Sequence, residues 1–348
     1  MAHKSGNLRT IRASSLWFMG PGLRRDDGAT LALAHPPRHR AGMILLAALL
    51  AAATPAPASP GDIAAAAPAS AWRAIAPENL MLLETARGTM AIELAPGFAP
   101  AHIAAIRALV AAGRFDGGAI TRVQDNYVVQ WAAKPDATKT LTASGAAAVA
   151  AGSTATPGGV PVGTGPGTGH AAVLPAEYER PAKGLAITPL GSTDTYASSG
   201  FWSGWPVATD PKAGTAWLAH CYGAVGVGRD DPPDTGDGSE LYAVIGHGPR
   251  HLDRNITLVG RVVAGIEGYS SLARGTGPLG FYKTPQEQTP ITRVRFAGAG
   301  DTRYEVLDSA SPAFAAYLKA RTNRTGFFVR PAGATDLCNV QVPVRAVK

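Results

Sequence analysis

The segment from Gly113 to Trp131 constrains the fold most, because it places one arginine and one glutamine inside an otherwise apolar, strand-like run. Its pattern predicts two short strands, Ala119–Val123 and Tyr127–Gln130, separated by a polar break. Burying a guanidinium in such a strand is unfavourable because the charged group loses its water. We therefore expect Arg122 either to reach solvent or to serve in a cleft, with this segment as the floor of a binding site.

The composition favours a turn-rich β protein with one sizeable core. The chain of 348 residues is 46% hydrophobic and 7% aromatic, and it contains 41 glycines and 28 prolines. Its length allows one to three domains. The formal net charge is +7, but residues 1–58 hold seven Lys and Arg residues and only two acidic ones. The remainder is therefore almost neutral, which removes the main support for nucleic-acid binding.

The beginning of the chain has the features of a secretory signal peptide. Residues 43–58 contain a short apolar run and a closing Ala-Pro-Ala, and a basic pair precedes them. We expect cleavage after Ala58, a periplasmic or secreted location and no other membrane contact. Residues 1–42 form a doubtful N-terminal extension without periodic pattern; a signal anchor or a disordered tail is the alternative. Residues 59–76 are rich in alanine and proline and predict a linker.

The body of the chain, residues 77–297, alternates strand-like runs with two helical patterns. One helix is predicted over residues 101–112 and a second over residues 265–272. Two insertions interrupt this body. Residues 134–172 have few large apolar side chains and predict an exposed loop. Residues 181–219 are rich in aromatic side chains and predict an ordered flap against the body or, alternatively, a rim that contacts unfolded chains.

The C-terminal part, residues 298–348, predicts an appendage that packs on the body. It contains Cys338, while Cys221 lies in the body, and the sequence is compatible with one disulfide or with two free thiols. His247 and His251 are four residues apart, but a Gly-Pro pair between them prevents a regular helix. We therefore expect no metal site at these histidines.

Five motifs follow one another between about residues 80 and 297, namely FDG-x4-RV-x3-YVVQ, LPAEY, GAVGVGR, DTGDGSELY and LDRNITLVGRVVAG. In this order they resemble the cyclophilin-type peptidyl-prolyl cis-trans isomerases, and the chain looks like a divergent, exported bacterial member with large insertions. The resemblance implies a mainly β fold, a closed antiparallel eight-stranded barrel capped by two helices. It also implies isomerisation of Xaa-Pro bonds without a cofactor or a metal.

The resemblance further implies the residues of the site. Arg122 falls on the family's catalytic arginine and Gln130 on its substrate-binding glutamine. The other expected substrate-binding residues are Tyr127, Val128, Val227, Glu240, Leu241, Tyr242, His251, Leu252 and Ile256. Glu240 replaces the family's usual glutamine, His251 its tryptophan and Ile256 its histidine or tyrosine. We expect these departures to alter specificity or reduce the rate rather than to abolish activity.

The implied chemistry can be argued from the amide bond itself. Resonance sets a barrier of about 18–20 kcal/mol to rotation about an Xaa-Pro bond. The twisted state leaves the prolyl nitrogen able to accept a hydrogen bond, so a fixed Arg122 guanidinium would stabilise that state selectively. The partners are then proline-containing polypeptides, and we expect a monomer. Two alternatives stay open: Arg122 pairs with Asp116 or Asp125 in a structural role, or the chain is a catalytically weak peptide-binding or chaperone module.

Overall fold

The structure is a computed structural model that describes residues 58–135, 174–324 and 327–347. The expected N-terminal extension, nearly all of the expected signal peptide and most of the first insertion lie outside the described residues. Within the described part, no helix is both long enough and apolar enough to cross a membrane.

Sixteen strands and four α-helices lie in the described ranges. The first eight strands are β1 (Trp72–Ala74), β2 (Leu80–Thr85), β3 (Gly88–Leu94), β4 (Ala119–Val123), β5 (Val128–Ala132), β6 (Arg180–Pro181), β7 (Thr188–Pro189) and β8 (Ser198–Trp202). The others are β9 (Trp205–Asp210), β10 (Thr215–Leu218), β11 (Ala224–Val227), β12 (Glu240–Val244), β13 (Leu258–Ala264), β14 (Thr289–Phe296), β15 (Arg303–Leu307) and β16 (Val344–Val347). The helices are α1 (Pro60–Ala65), α2 (Pro100–Ala111), α3 (Glu267–Ser270) and α4 (Pro312–Thr322).

Eight antiparallel strands close into a barrel in the order β11-β12-β5-β4-β14-β2-β3-β13. Successive side chains of a strand point to opposite faces, so every second residue can enter the barrel interior. Met81, Ile92 and Val129 are fully buried there and belong to the largest apolar cluster of the described residues. The predicted eight-stranded barrel is therefore confirmed.

Two helices pack on the barrel core, as the sequence predicts. α2 begins at Pro100, whose fixed φ suits the first turn of a helix, and Ile103 and Ile106 pack into the core. α3 is a single turn within the segment 265–272 that was predicted to be helical, and it places Tyr269 in the same core. The barrel with two capping helices is thus the scaffold on which the outer face is built.

The second insertion folds into a five-stranded antiparallel sheet, called the inserted sheet, with the order β6-β10-β9-β8-β7. Trp205, Val207 and Leu218 of this sheet share one buried apolar cluster with side chains of the barrel's outer face. Burial of these large side chains against the barrel stabilises the contact. The insertion therefore forms an ordered flap over one side of the barrel.

Residues 59–76 are folded, so the prediction of a linker is wrong. Ser59 and Asp62 cap α1 through reciprocal bonds between their side chains and backbone N–H groups. β1 pairs with β15 in the three-stranded sheet β1-β15-β16. Alanine and proline dominate this segment and conceal its few large apolar side chains, among which Ile75 is buried and Trp72 packs against a buried cluster.

Three distant segments pack together into what we call the accessory region, residues 59–76, 180–220 and 303–347. Its core unites Ala67 of the first segment, Phe201 of the inserted sheet and Phe314 of α4. The rings of Phe201 and Phe314 meet edge to face with centroids 5.0 Å apart. The C-terminal appendage is therefore packed with the N-terminal segment and the inserted sheet.

A disulfide joins Cys221, which follows the inserted sheet, to Cys338 in the C-terminal segment. Of the two possibilities that the sequence left open, the structure has the bonded pair. The cross-link spans 117 residues of sequence. It therefore fastens the last part of the accessory region to the segment that leads into β11.

Candidate active site

Arg122, Gln130 and Tyr242 lie side by side on the outer face of the barrel. Arg122 on β4 is the register partner of Gln130 on β5, and Gln130 is the partner of Tyr242 on β12. Residues directly opposite each other on neighbouring strands share a face. The register shifts between Ile120 and Arg122, and this bulge explains why Ile120 enters the core while Arg122 faces outward.

Three acceptors hold the Arg122 guanidinium. Nε donates to the carbonyl oxygen of Leu279 at 2.7 Å, and Nη1 donates to Oε1 of Gln130 at 3.2 Å. Nη2 donates to Oε1 of Gln124. A guanidinium presents five N–H groups in one plane, so three acceptors on different nitrogens fix both its position and its orientation.

The guanidinium also contacts two aromatic rings. Its carbon lies 5.3 Å from the ring centroid of Tyr127 and 5.0 Å from that of Phe281, distances at which a cation is attracted to a ring face. Burial lowers the pKa of Arg122, while Tyr127, Glu240 and Tyr242 act in the opposite direction. Because arginine stays protonated in proteins, the site holds a permanent buried cation.

Both acidic neighbours of Arg122 in sequence bond elsewhere. Asp125 accepts from Nε of Arg274 at 3.0 Å, and Oδ1 of Asp116 accepts from the backbone N–H of Val294 at 2.9 Å. The geometry therefore contradicts the alternative in which Arg122 is the structural ion-pair partner of one of these carboxylates.

An apolar group lies beside this cation on the same face of the barrel. Val128, Tyr242, Leu252 and Ile256 are all buried and share one cluster, against which Tyr127 packs. We call these five residues the socket. The structure thus brings them together with the arginine and the glutamine, as expected, although the substrate-binding role of each stays a prediction.

Val227 and Leu241 point into the barrel interior, so their prediction as pocket residues is wrong. Both are fully buried members of the interior core. Strand alternation is the reason: Gly226 and Tyr242 face outward, whereas Val227, which follows Gly226, and Leu241, which precedes Tyr242, face inward. Glu240, two residues before Tyr242, lies on the outer face and is 3% exposed.

His251 is exposed in a short 3-10 turn, Arg250–Leu252, next to the socket. It is expected to bind substrate, and nothing in the described geometry excludes that role. Among the described residues, no group of three or more His, Cys, Asp or Glu side chains is arranged to hold a metal ion.

The site is closed in this structure, because Arg122 and Gln130 are 0% and 1% exposed. One cover is the segment that contains Leu279 and Phe281, which contacts the guanidinium through a carbonyl oxygen and a ring. The other is the inserted sheet, whose apolar side chains pack on the socket cluster. A peptide can therefore reach the guanidinium only when one of these covers moves.

Four residues that contact the site were not predicted from the sequence: Leu279 and Phe281 of the covering segment, Gln124 and His220. Gln124 lies two positions after Arg122, and strand alternation alone could have placed it on the same face. Nε2 of His220 lies 3.0 Å from the hydroxyl oxygen of Tyr242. A histidine at the end of the apolar run after Trp217 was the available signal, but no local pattern places it against the barrel.

The partners of His220 determine its tautomer. Nδ1 lies 2.9 Å from Oδ1 of Asp253, and a carboxylate only accepts, so Nδ1 carries the proton and Nε2 accepts from Tyr242. Burial lowers the pKa of His220, and the bond to Asp253 opposes this only in part. Burial raises the pKa of Tyr242 well above its ordinary value. Both groups are therefore neutral, and the phenol is the donor.

Comparison with known proteins agrees with this architecture. Residues 80–296 match the family described as cyclophilin type peptidyl-prolyl cis-trans isomerase/CLD. Curated relatives in Brucella suis biovar 1 and Brucella melitensis biotype 1, each named probable peptidyl-prolyl cis-trans isomerase, are 41% identical over 54 residues. This stretch is 16% of the present chain and spans only 28% of the length of each relative.

A solved structure shows the same kind of fold. The crystal structure of cyclophilin AquaCyp293 from Hirschia baltica aligns with a TM-score of 0.57 and 24% identity, over 79% of this chain and 93% of that one. At this identity the likeness concerns the fold alone. Because the family match spans well over half of the chain and coincides with the closed barrel, the chain belongs to the cyclophilin-type peptidyl-prolyl cis-trans isomerase family.

Proposed function

We propose that this chain is an exported peptidyl-prolyl cis-trans isomerase that catalyses rotation about Xaa-Pro bonds in proline-containing polypeptides. The observation that carries the proposal is the Arg122 cation, held by three acceptors beside the apolar socket. A prolyl ring needs apolar surface, and the prolyl nitrogen needs a donor only when the amide is twisted. A fixed donor beside a socket supplies both, and it favours the transition state over the planar states.

Arg122 and Gln130 have complementary roles in this mechanism. In the twisted state the nitrogen lone pair leaves the amide resonance, and an N–H of the Arg122 guanidinium donates to it. Gln130 uses its carbonyl oxygen for Arg122, so its amide N–H groups are directed to a substrate carbonyl. A thousandfold acceleration needs only about 4 kcal/mol, which a charge-assisted hydrogen bond in a dry site supplies in large part.

Substrate entry requires one of the two covers to move, and we propose that it is the segment around Leu279. This segment is only partly buried, and it meets the guanidinium through one carbonyl oxygen and the ring of Phe281. The inserted sheet is held by a buried apolar cluster and is followed directly by the disulfide at Cys221. The segment also donates backbone hydrogen bonds to β4, from Gly275 to Val123 and from Tyr282 to Thr121. Moving it breaks these local contacts but leaves the buried apolar cluster under the inserted sheet intact.

Export is supported by the predicted signal peptide that ends at Ala58 and by the disulfide between Cys221 and Cys338. Structural disulfides belong to oxidising compartments such as the periplasm. One chain contains every residue of the proposed site, so we propose that it acts as a monomer. Mass measurement of the purified protein by light scattering tests this, and a stable dimer would contradict it.

The proposed activity is tested by cis-trans rates on a short series of Xaa-Pro peptides. The protein from Ser59 onward is compared with Arg122→Ala and with Arg303→Ala, a matched loss of an exposed arginine in the accessory region. We expect acceleration by the unaltered protein and by Arg303→Ala, and a loss of at least about a hundredfold in Arg122→Ala, since about 3 kcal/mol of transition-state stabilisation is removed. No acceleration by the unaltered protein would overturn the proposal.

The closure of the site favours one alternative, a peptide-binding or chaperone module that holds chains without turning them over. Arg122 and Gln130 are almost inaccessible, and such a site can retain a bound chain while catalysing slowly. This alternative predicts saturable binding of a proline peptide, measured by fluorescence anisotropy, with no change in the cis-trans rate. Binding accompanied by acceleration excludes it.

A further inference from the structure

The segment that follows the inserted sheet contributes a side chain that contacts the wall of the socket. His220 lies two residues beyond β10, and its Nε2 accepts from the hydroxyl of Tyr242 at 3.0 Å. The side chain of His220 is 0% exposed and that of Tyr242 is 2% exposed. A buried hydroxyl that loses its acceptor is destabilising, so the position of the Tyr242 ring is coupled to that of His220.

The neighbouring strand β11 leaves space for the contact between Tyr242 and His220. Gly226 on β11 is the register partner of Tyr242, and a Cβ at residue 226 would lie 2.3 Å from both Cζ and the hydroxyl oxygen of Tyr242. The backbone of Gly226 does not have a positive φ, so the position requires the missing side chain rather than conformational freedom. The ring of Tyr242 therefore crosses Gly226 and reaches His220.

The imidazole is itself held from its other side. Oδ1 of Asp253 accepts from the backbone N–H of His220 at 3.0 Å and faces Nδ1 at 2.9 Å. Oδ2 accepts from Nε of Arg250 at 2.6 Å and from Nε1 of Trp217 at 3.2 Å. Asp253 also follows Leu252 of the socket directly in sequence. Both ring nitrogens of His220 are thus bonded, and the imidazole cannot turn without breaking a bond.

We propose that His220, oriented by Asp253, is a positioning residue that fixes the ring of Tyr242 as a wall of the proline-binding socket. The inference rests on the proposed isomerase function and extends its site to the insertion. The segment after β10 is then a part of the active site, while the inserted sheet that precedes it covers the socket.

The test compares His220→Asn with His220→Gln. The asparagine amide occupies the place of Nδ1, so it keeps the bond to Asp253 and leaves the Tyr242 hydroxyl without an acceptor. The glutamine amide reaches the place of Nε2 and restores that acceptor. On a reactive Xaa-Pro peptide we expect kcat/KM to fall about fivefold in His220→Asn, mainly through a higher KM, and less than about twofold in His220→Gln.

A double variant shows whether the effect passes through Tyr242. A phenylalanine has no hydroxyl for His220 to hold, so in the Tyr242→Phe background His220→Asn should change kcat/KM by less than about twofold. Thr188→Val is the matched control. It removes a bond of 2.8 Å from Oγ1 of Thr188 to the carbonyl of Ser309, inside the accessory region and away from the socket, and it should leave kcat/KM unchanged.

The outcomes separate a positioning role from a structural one. An unchanged kcat/KM in His220→Asn, even with a lower melting temperature, would overturn the inference, and so would an equal loss caused by His220→Asn in the Tyr242→Phe background. If His220→Asn does not fold, Asp253→Asn replaces it, because that change keeps the imidazole and weakens its orientation; it also removes the negative charge that Arg250 contacts. An inactive unaltered protein would refute the proposed function itself, whereas an active protein that is insensitive to these changes refutes only the role of His220.

Discussion

The outer face of the barrel and the accessory region are both well buried, but different kinds of contact build them. On the barrel, Arg122 and Gln130 are eight residues apart in sequence and meet through one pair of neighbouring strands. In the accessory region, Trp72 pairs with Leu307, on a strand near the opposite end of the chain. Local strand pairing therefore sets the geometry of the site, whereas pairing of distant segments builds the accessory region.

The residues that form the site and the residues that bury it lie in different parts of the molecule. The cation, its acceptors Gln124 and Gln130 and the socket belong to the barrel and its loops, and His220 of the accessory region hydrogen-bonds to Tyr242 of the socket. The burial of Arg122 depends on the residues that cover the outer face of the barrel, such as Leu279 and Phe281. Changes in the accessory region other than at His220 should therefore leave the hydrogen bonds of Arg122 in place, since none of its acceptors lies there.

Removing the disulfide should cause the largest difference in stability between the accessory region and the barrel. Cys338→Ser removes a cross-link over 117 residues of sequence, and in the chain-entropy account such a link contributes about 4 to 5 kcal/mol to the free energy of unfolding. We expect the melting temperature to fall and amide hydrogen exchange to accelerate chiefly in the accessory region. Cys221→Ser should give the same result, and the double variant should add nothing to it. Equal acceleration in barrel and accessory strands would contradict the comparison.

A smaller effect on stability is expected from Gly226→Ala, which perturbs only the outer face of the barrel. The new Cβ would lie 2.3 Å from the hydroxyl oxygen of Tyr242, and such overpacking typically costs about 1–3 kcal/mol. Gly61→Ala in α1 is the control, since its Cβ would meet nothing nearer than 3.7 Å. Denaturant unfolding measures both. If Gly226→Ala is as stable as the unaltered protein, the close passage of the ring over Gly226 is refuted.

The smallest effect concerns Gln124, which holds one end of the guanidinium. Gln124→Leu removes the acceptor for Nη2 of Arg122, a loss of about 1 kcal/mol. We expect kcat/KM on an Xaa-Pro peptide to fall about fivefold with little change in melting temperature. Gln124→Glu keeps an acceptor oxygen and should stay close to the unaltered rate. Equal activity of the leucine and glutamate variants would show that Gln124 does not position the arginine.

The sequence predicted the barrel and its arginine well because both depend on local patterns. The resemblance carried by the ordered motifs assigns Arg122, Gln130 and Tyr242 to one site, and the structure has them on one face. The same alternation, applied to every apolar pocket position, would have excluded Val227 and Leu241, which face inward. The resemblance predicts which residues belong to a motif. The alternation along the strand decides whether each side chain points outward or into the barrel interior.

The accessory region could not be predicted in the same way. Its segments have weak local patterns, and their order comes from partners far away in the chain, as when Phe201 packs on Phe314. The alanine and proline content around Ile75 therefore suggested a linker although that side chain is 5% exposed. His220 was missed for the same reason, because its place in the site depends on a tertiary contact with Tyr242.

The most direct test of the central claim is exchange spectroscopy by NMR on a peptide with one Xaa-Pro bond. Cross-peaks between the cis and trans forms report catalysed interconversion, and shifts of the same peaks report binding. We predict cross-peaks with the unaltered protein that vanish with Arg122→Ala while the binding shifts remain, since the socket of Val128, Leu252 and Ile256 stays intact. Cross-peaks of equal intensity with Arg122→Ala would contradict the account, because catalysis would then not depend on the buried cation.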